Sequence, residues 1–536
     1  MAESSVASPP AETSPADPSP RRRLAIAAIF LLALLPLAAT PVLPTIDYYN
    51  HLGRYYALAH LGADPFLAQN YAARWGLLPN IGLDVIGTGL MAVAPPLLCA
   101  KLLIAGVFAI QFFGLIYFNR QLTGRASVLV ALLAVPLLYS FIFTWGFANF
   151  LLGLGLVLWG AGWWLAMRHR PLLAIPVACL LAMLIFLTHG VAFALYGLLL
   201  GGLELGFFFA DPNRSVAGLA RSMAALAVQA AAPVVLFLLS PTSKASEGFT
   251  NADEAIGRLS HNGQLGERLR ELASYRLTTI LRVSDGPSFA LDVVTNLLLV
   301  ALVVLLAIRG RVTIARTAWP ALALGVLLVA LAPPALFGVG YVSDRMPLFL
   351  AFVLAAALVV APSRTRLDLG VTALVGVVVA VKLVALAGGW RAYGDDFDHF
   401  RAASRSIPTR SVVGFVNLAN GQRLDPNPRC EMYGPLLIPL GGDATPVFAL
   451  GSAQPIALIG RLSAANKAAA SPASPDGPKG LARAQDRFSE MIRDGRFDYV
   501  LVCDSSLPAA RRDAILVARS GRFAVYRPVR PAAPGG

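Results

Sequence analysis

From Ala126 to Met167 the chain carries no Asp, Glu, Lys or Arg. A helix needs ~20 mostly apolar residues to cross a bilayer, so this stretch is too long for one crossing. It predicts a hairpin of two spans turning near Gly146–Asn149. Further stretches nearly as poor in charge lie at 24–46, 96–118, 171–188, 190–210, 220–240, 288–308, 318–338, 347–362 and 369–388. The predicted fold class is therefore mainly α, a polytopic helical membrane protein with about eleven transmembrane helices. Composition agrees: 57% of the 536 residues are hydrophobic and 14% charged, against roughly 25% charged in soluble domains. A soluble enzyme and a disordered chain are excluded.

Loop charge sets the orientation. With the N-terminus inside, alternate loops carry Arg21–Arg23, Arg120 and Arg125, Arg168 and Arg170, Arg214 and Arg221, Arg309, Arg311 and Arg316, then Arg364 and Arg366. All fall on one side, as the positive-inside bias requires. The short opposite loops carry Arg345 alone. The net charge of +14 is thus read as loop charge, and no nucleic-acid partner is expected. An odd number of spans leaves the C-terminus outside. Residues 1–23 read as a disordered cytoplasmic tail, 24–389 as the membrane domain with external loops at 44–95 and 241–287, and 390–536 as a small external α/β domain. Within that last part Ala482–Arg493 and Phe400–Ile407 read as helices, Ser411–Leu418, Tyr499–Cys503 and Phe523–Tyr526 as strands, and Lys467–Gly480 as a loop. Cys430 and Cys503 form either a disulfide, if that domain is extracytoplasmic, or two reduced thiols. No CxxC spacing points to zinc.

The chemistry concentrates where the first span ends, in Thr45–Tyr56 (TIDYYNHLGRYY). On a helix Asp47, His51 and Arg54 share one face. They read either as an interfacial helix with its charges in water or as a site. In a site the carboxylate takes a proton from a hydroxyl, the histidine orients it or shares a metal, and the arginine holds a phosphate. Tyr48, Tyr49, Tyr55 and Tyr56 suit a membrane interface.

A first span followed by an acidic, His-containing external loop, many further spans and a C-terminal extracytoplasmic domain resembles the GT-C superfamily of membrane glycosyltransferases. The resemblance covers the architecture of the whole chain and, at motif level, Asp47–Arg54. It implies a bacterial inner-membrane enzyme that moves a sugar from a polyprenyl-phosphate-linked donor to a lipid, glycan or protein acceptor on the outer, periplasmic face. Asp47 would be the catalytic base and His51 its partner. Many members have paired acids where Tyr48 stands here, and Asp64 and Asp84 are too distant in sequence to assume a pair. A divalent cation is left open as cofactor.

Other external residues join as substrate-binding expectations beside Arg54: His189 in LTHG, and Asp344 and Arg345 in the loop YVSDRMP, Arg345 as a phosphate ligand. Each has a plainer reading, as a buried hydrogen-bonded histidine or an Asp–Arg pair. Trp145, Phe147, Asn149 and Phe150 (TWGFANF) read as interface anchors. Lys382 is expected to snorkel, Glu204 to snorkel or pack, and Asp395, Asp396, Asp398 and His399 to be solvated acids at a helix start. A transporter or flippase would show ionisable groups near mid-membrane. A non-catalytic envelope scaffold would tolerate loss of Asp47.

Overall fold

The computed structural model describes residues 19–240, 243, 265–336, 339–362, 365–418, 430, 432–445, 454–463, 477–504 and 512–529. Residues 1–18 of the expected tail 1–23, much of the expected loop 241–287 and residues 467–476 of the expected loop 467–480 lie outside the described residues, while 20–23 and 477–480 belong to helices rather than to a tail and a loop. Helices dominate: α1 Pro20–Ala33, α2 Tyr48–His60, α3 Gly82–Met91, α4 Pro96–Thr123, α5 Val128–Leu138, α6 Ala148–Met167, α7 Pro171–Thr188, α8 Gly190–Ala210, α9 Val216–Leu239, α10 Leu265–Leu281, α11 Phe289–Ile308, α12 Trp319–Leu331, α13 Val342–Ala356 and α14 Arg366–Ser404.

Among the described residues, eight helical segments are long and apolar enough to cross a membrane: α4, Val128–Trp145, α6, α7, α8, α9, α11 and α14. The chain is a multi-pass membrane protein. Three of the eleven expected spans are shorter helices. The expected span 24–46 is helical only to Ala38, with Pro36 in the opening turn of its second piece, Leu35–Ala38, and Pro41 and Pro44 in the non-helical chain beyond, where rings that lack a backbone donor keep the helix from resuming. The expected span 318–338 is α12 followed by a two-stranded pair, Ala335–Leu336 with Val339–Gly340. The expected span 347–362 begins earlier, at Val342. It ends at Ala356, and Leu358–Val360 then pairs antiparallel with Val312–Ile314. Asp344 and Arg345 therefore occupy the first turn of a helix rather than a loop.

The last span is also longer than expected. Thr365 and Asp368 form a reciprocal capping box at its start, the arrangement that satisfies two orphan backbone donors. With no proline to stop it, α14 continues for 39 residues, about 58 Å at 1.5 Å per residue. Asp395, Asp396, Asp398 and His399 lie inside this helix, not at a helix start, and Asp396 pairs with Arg522 at 3.1 Å. Lys382 does not snorkel. Its ammonium is buried 2.8 Å from Asp292 and also reaches Thr295 and Asn296. Glu204 packs: it accepts from the Trp164 indole at 2.8 Å and pairs with Arg168.

Strand β1 Tyr71–Ala73 lies between α2 and α3, and beyond α14 lie α15 Tyr433–Gly441, α16 Gly477–Arg493 and the strands β2 Val413–Asn417, β3 Ile456–Leu458, β4 Tyr499–Cys503, β5 Ala514–Ser520 and β6 Phe523–Pro528. Strands β2, β4, β6 and β5, in that spatial order, form a mixed sheet with β2 parallel to β4. Cys430 and Cys503 are joined as a disulfide. This part is not a separate bead. Strand β1, from the segment between α2 and α3, pairs antiparallel with β3. The Tyr71 hydroxyl donates to the Thr445 carbonyl and accepts from its N–H. Helix α15 packs on α2. Helix α2 is thus covered by the C-terminal part, and Tyr48, Tyr49 and Tyr55 are buried. That corrects the reading of α2 as an interfacial helix with its tyrosines at the membrane surface.

Candidate active site

Asp47 precedes the first turn of α2, and a tight contact fixes it there. Its N–H donates to the Trp145 carbonyl at 2.9 Å and that of Ile46 to Thr144 at 3.0 Å. Gly146 makes this approach possible. Its φ is +84°, and a side chain there would collide with the backbone of Tyr48. The hairpin turn expected at Gly146–Asn149 is present and is clamped onto the start of α2. Asn149 ties in a third element, accepting from Leu83 N–H at 2.8 Å and donating to the Asn80 carbonyl at 3.1 Å. That anchors the start of α3, which carries Asp84.

The helical spacing works as the sequence suggests. His51 Nε2 lies 3.1 Å from Asp47 Oδ2, and His51 Nδ1 lies 2.6 Å from a terminal nitrogen of Arg54. The Nε of Arg54 donates to Asp84 Oδ1, with both side chains completely buried. Two of the three guanidinium nitrogens are thereby committed to protein partners. Asp84 is the residue that sequence reasoning set aside. Its signal was there, as a lone acid in an apolar helix (GLDVIGTGLM), but the partner that needs it is thirty positions away in sequence.

Asp47 keeps 24% of its side-chain surface, whereas His51 keeps 9%. Of the side chains Asp47, His51, Arg54 and Asp84, the Asp47 carboxylate is the most open. Burial alone would raise its pKa, but His51, then Arg54 and Asn50, reverse that and hold it below the usual carboxylate value. It stands ionised at neutral pH.

His189 and Arg345 come to the same place. His189 sits in the turn between α7 and α8, where its Nδ1 accepts from Val191 N–H at 3.2 Å. Burial, with the Arg345 charge close enough to add repulsion, holds it well below the ordinary histidine value and neutral. The Phe150 ring meets the imidazole edge-on at 5.3 Å. The Arg345 guanidinium lies over Phe147 at 4.7 Å and Phe150 at 5.3 Å, and it donates to the Gly340 carbonyl at 2.7 Å. Its Nε is buried without a partner among the described residues, and its charge is felt by both His189 and Asp47. Asp344 does not take up Arg345 in a direct bridge. Its two oxygens accept from the Tyr275 hydroxyl at 2.7 Å, and one accepts from Ser343. Trp145 lies 4.4 Å from Tyr341, whose φ of +57° is a conformation side chains rarely adopt. The aromatic turn TWGFANF thus packs inward on Arg345, His189 and Tyr341 rather than standing as a row of anchors.

This donor set does not suit a chelated divalent cation. Asp47 Oδ2 faces His51 Nε2, both accessible imidazoles have Nδ1 engaged as acceptors, and two guanidiniums flank the acid. Among the described residues, the one grouping of three metal-type ligands is Cys430, Cys503 and Asp504, whose cysteines are already bonded to each other.

No family model and no curated protein matches the chain. Among solved structures it is similar to the Archaeoglobus fulgidus oligosaccharyltransferase tethered through a disulfide bond to an acceptor peptide containing the NVT sequon. That similarity has a TM-score of 0.46 at 12% identity and covers 89% of this chain and 69% of that one. At this level it assigns neither residues nor a reaction.

Proposed function

We propose that this protein is a membrane glycosyltransferase of the GT-C kind, moving a sugar from a polyprenyl-phosphate-linked donor to a lipid, glycan or protein acceptor at the outer face of a bacterial inner membrane. The observation that carries the reading is the partly open, ionised Asp47 carboxylate held beside a desolvated arginine at the ends of membrane helices. One accepts a proton and the other attracts an anion, which are the two tasks of this reaction. An acceptor hydroxyl gives its proton to Asp47 as its oxygen bonds to the anomeric carbon. The bond from that carbon to the phosphate oxygen breaks, and its electron pair leaves on the polyprenyl phosphate. Arg345 receives the phosphate, since a planar, poorly hydrated guanidinium with a spare donor suits that anion. His189, neutral, stands ready as a donor to the sugar or phosphate, and Asp344 holds the start of α13 through Tyr275. The Cys430–Cys503 disulfide supports an oxidising, extracytoplasmic setting for the C-terminal part, the side on which loop charge puts it.

The test compares envelope glycans and glycolipids in a deletion strain complemented with wild type or with Asp47→Asn. A glycan or glycolipid should disappear on deletion, return with wild type and stay absent with Asp47→Asn at equal protein abundance. Full return with Asp47→Asn would refute the reading.

A further inference from the structure

The hydrogen bonds running back from Asp47 determine where the His51 proton sits. Arg54 approaches His51 Nδ1 at 2.6 Å through a terminal guanidinium nitrogen. A guanidinium has five N–H donors, no acceptor, and does not deprotonate in proteins. The Nδ1 atom must therefore offer its lone pair. The single proton of the ring is on Nε2, the atom that faces Asp47 Oδ2 at 3.1 Å. Arg54 is in turn fixed from the other side by Asp84, and neither side chain has any solvent-exposed surface. Asp84 belongs to α3, a different element from the other three residues.

We infer that Asp84, acting through Arg54, locks His51 as the Nε2–H tautomer, making it a fixed hydrogen-bond donor to Asp47 and not a proton acceptor. A second proton on His51 would have to enter at Nδ1. There it would face the Arg54 donor head-on and place two positive charges in contact. The other groups around the ring do not relieve this. From α2 itself Asp47 is the only opposing charge and Tyr55 is neutral. Arg345 from α13 adds positive charge, and His189 from the α7–α8 turn is neutral. Asp84 and Arg54 are thus positioning residues. They hold the imidazole, the imidazole holds Oδ2, and Oδ1 is left for the acceptor hydroxyl, with Asn50 at a long 3.4 Å. The consequence for rate rests on the proposed role of Asp47. The tautomer itself does not.

The full chain, labelled with nitrogen-15 histidine and held in lipid nanodiscs, provides the test. The His51 signal is assigned by its loss in His51→Gln. In wild type at neutral pH the ring should show the Nε2–H pattern with a bare Nδ1. In Arg54→Met, or in the milder Asp84→Asn, Nδ1 loses its fixed donor and the signals should shift to a mixture of the two tautomers. Glutamine offers both an acceptor to Arg54 and a donor to Asp47, so His51→Gln should keep transfer within about tenfold, while His51→Phe should lose about a hundredfold or more. An Nδ1–H tautomer in wild type, with Asp47→Asn inactive, overturns the lock and leaves the proposed function standing. An active Asp47→Asn with the tautomer as stated overturns the proposed function and leaves the lock standing.

Discussion

Asp47 owes its reactivity to a balance that a single atom can upset. Burial pushes its proton affinity up, and the stronger opposing pull of His51, Arg54 and Asn50 keeps it ionised. Replacing it with Asn retains an oxygen for His51 and removes the basic lone pair. Transfer from a polyprenyl-phosphate sugar by purified protein should then fall by about 10²–10⁴-fold, with a small fall in melting temperature from the lost charge. Because the folded carboxylate binds its proton less tightly than the unfolded one, its contribution to stability is present above the ordinary carboxylate range and is lost as pH falls through the lowered value. Arg345 tests the other half of the site. Arg345→Lys keeps the charge and loses the planar fork stacked on Phe147 and Phe150, so the KM for the lipid-linked donor should rise by about tenfold or more, a loss of a bidentate, stacked contact. A Lys variant with unchanged KM would remove Arg345 from donor binding.

Among the elements, the buried bridge between α11 and α14 is the most consequential contact that has no place in the site. Lys382 and Asp292 are each about 3% exposed and 2.8 Å apart, within the apolar part of the molecule. Lys382→Met leaves Asp292 charged and unpaired, and the protein should lose about 3–5 kcal/mol of stability in detergent melting. The double variant Lys382→Met with Asp292→Leu should regain most of that loss. If the double variant is as unstable as the single one, the bridge is not an isolated pair. The long α14 also explains how one covalent element joins the membrane helices to the sheet. Its far end carries Asp396 to Arg522, and its middle packs Trp390 against Tyr139 and Phe143.

At the scale of the molecule, the C-terminal part, joined to the segment that follows α2 through the β1–β3 pair, forms one cap over α2. The Cys430–Cys503 bond closes a loop of 73 residues within that cap. Its removal by the paired Cys→Ser change should cost roughly 2–5 kcal/mol and lower activity along with stability, because α15, next to Cys430, lies on the helix that carries His51 and Arg54. Urea unfolding and transfer assays on the same preparation measure both. The cap also contains a pH-sensitive group. Burial raises the Asp443 carboxyl to about 7, despite backbone donors from Ser411 and Arg410 that favour its charge. The folded state thus holds a proton that the unfolded chain releases near ~4. The resulting stability is fully present below that value and is lost as pH rises through about 7. Melting temperature should fall between pH 5 and 8, and Asp443→Asn, which keeps the acceptor for Ser411, should flatten that fall.

The order of the long apolar helices, the turn at Gly146, three of the four strands of the C-terminal sheet and the face shared by Asp47, His51 and Arg54 were legible in the sequence. Each depends on local periodicity, on charge or on one residue's backbone freedom. The start of α13, the uninterrupted run of α14, the pairing of Lys382 with Asp292 and the entry of Asp84 and the TWGFANF rings into the site were not legible. A buried charge is tolerated only where a partner from a distant segment meets it, and no local pattern names that partner. The same physics explains why α2 reads as a surface helix: its charged stripe looks solvated until Asp84, Arg345 and the covering C-terminal part replace the water.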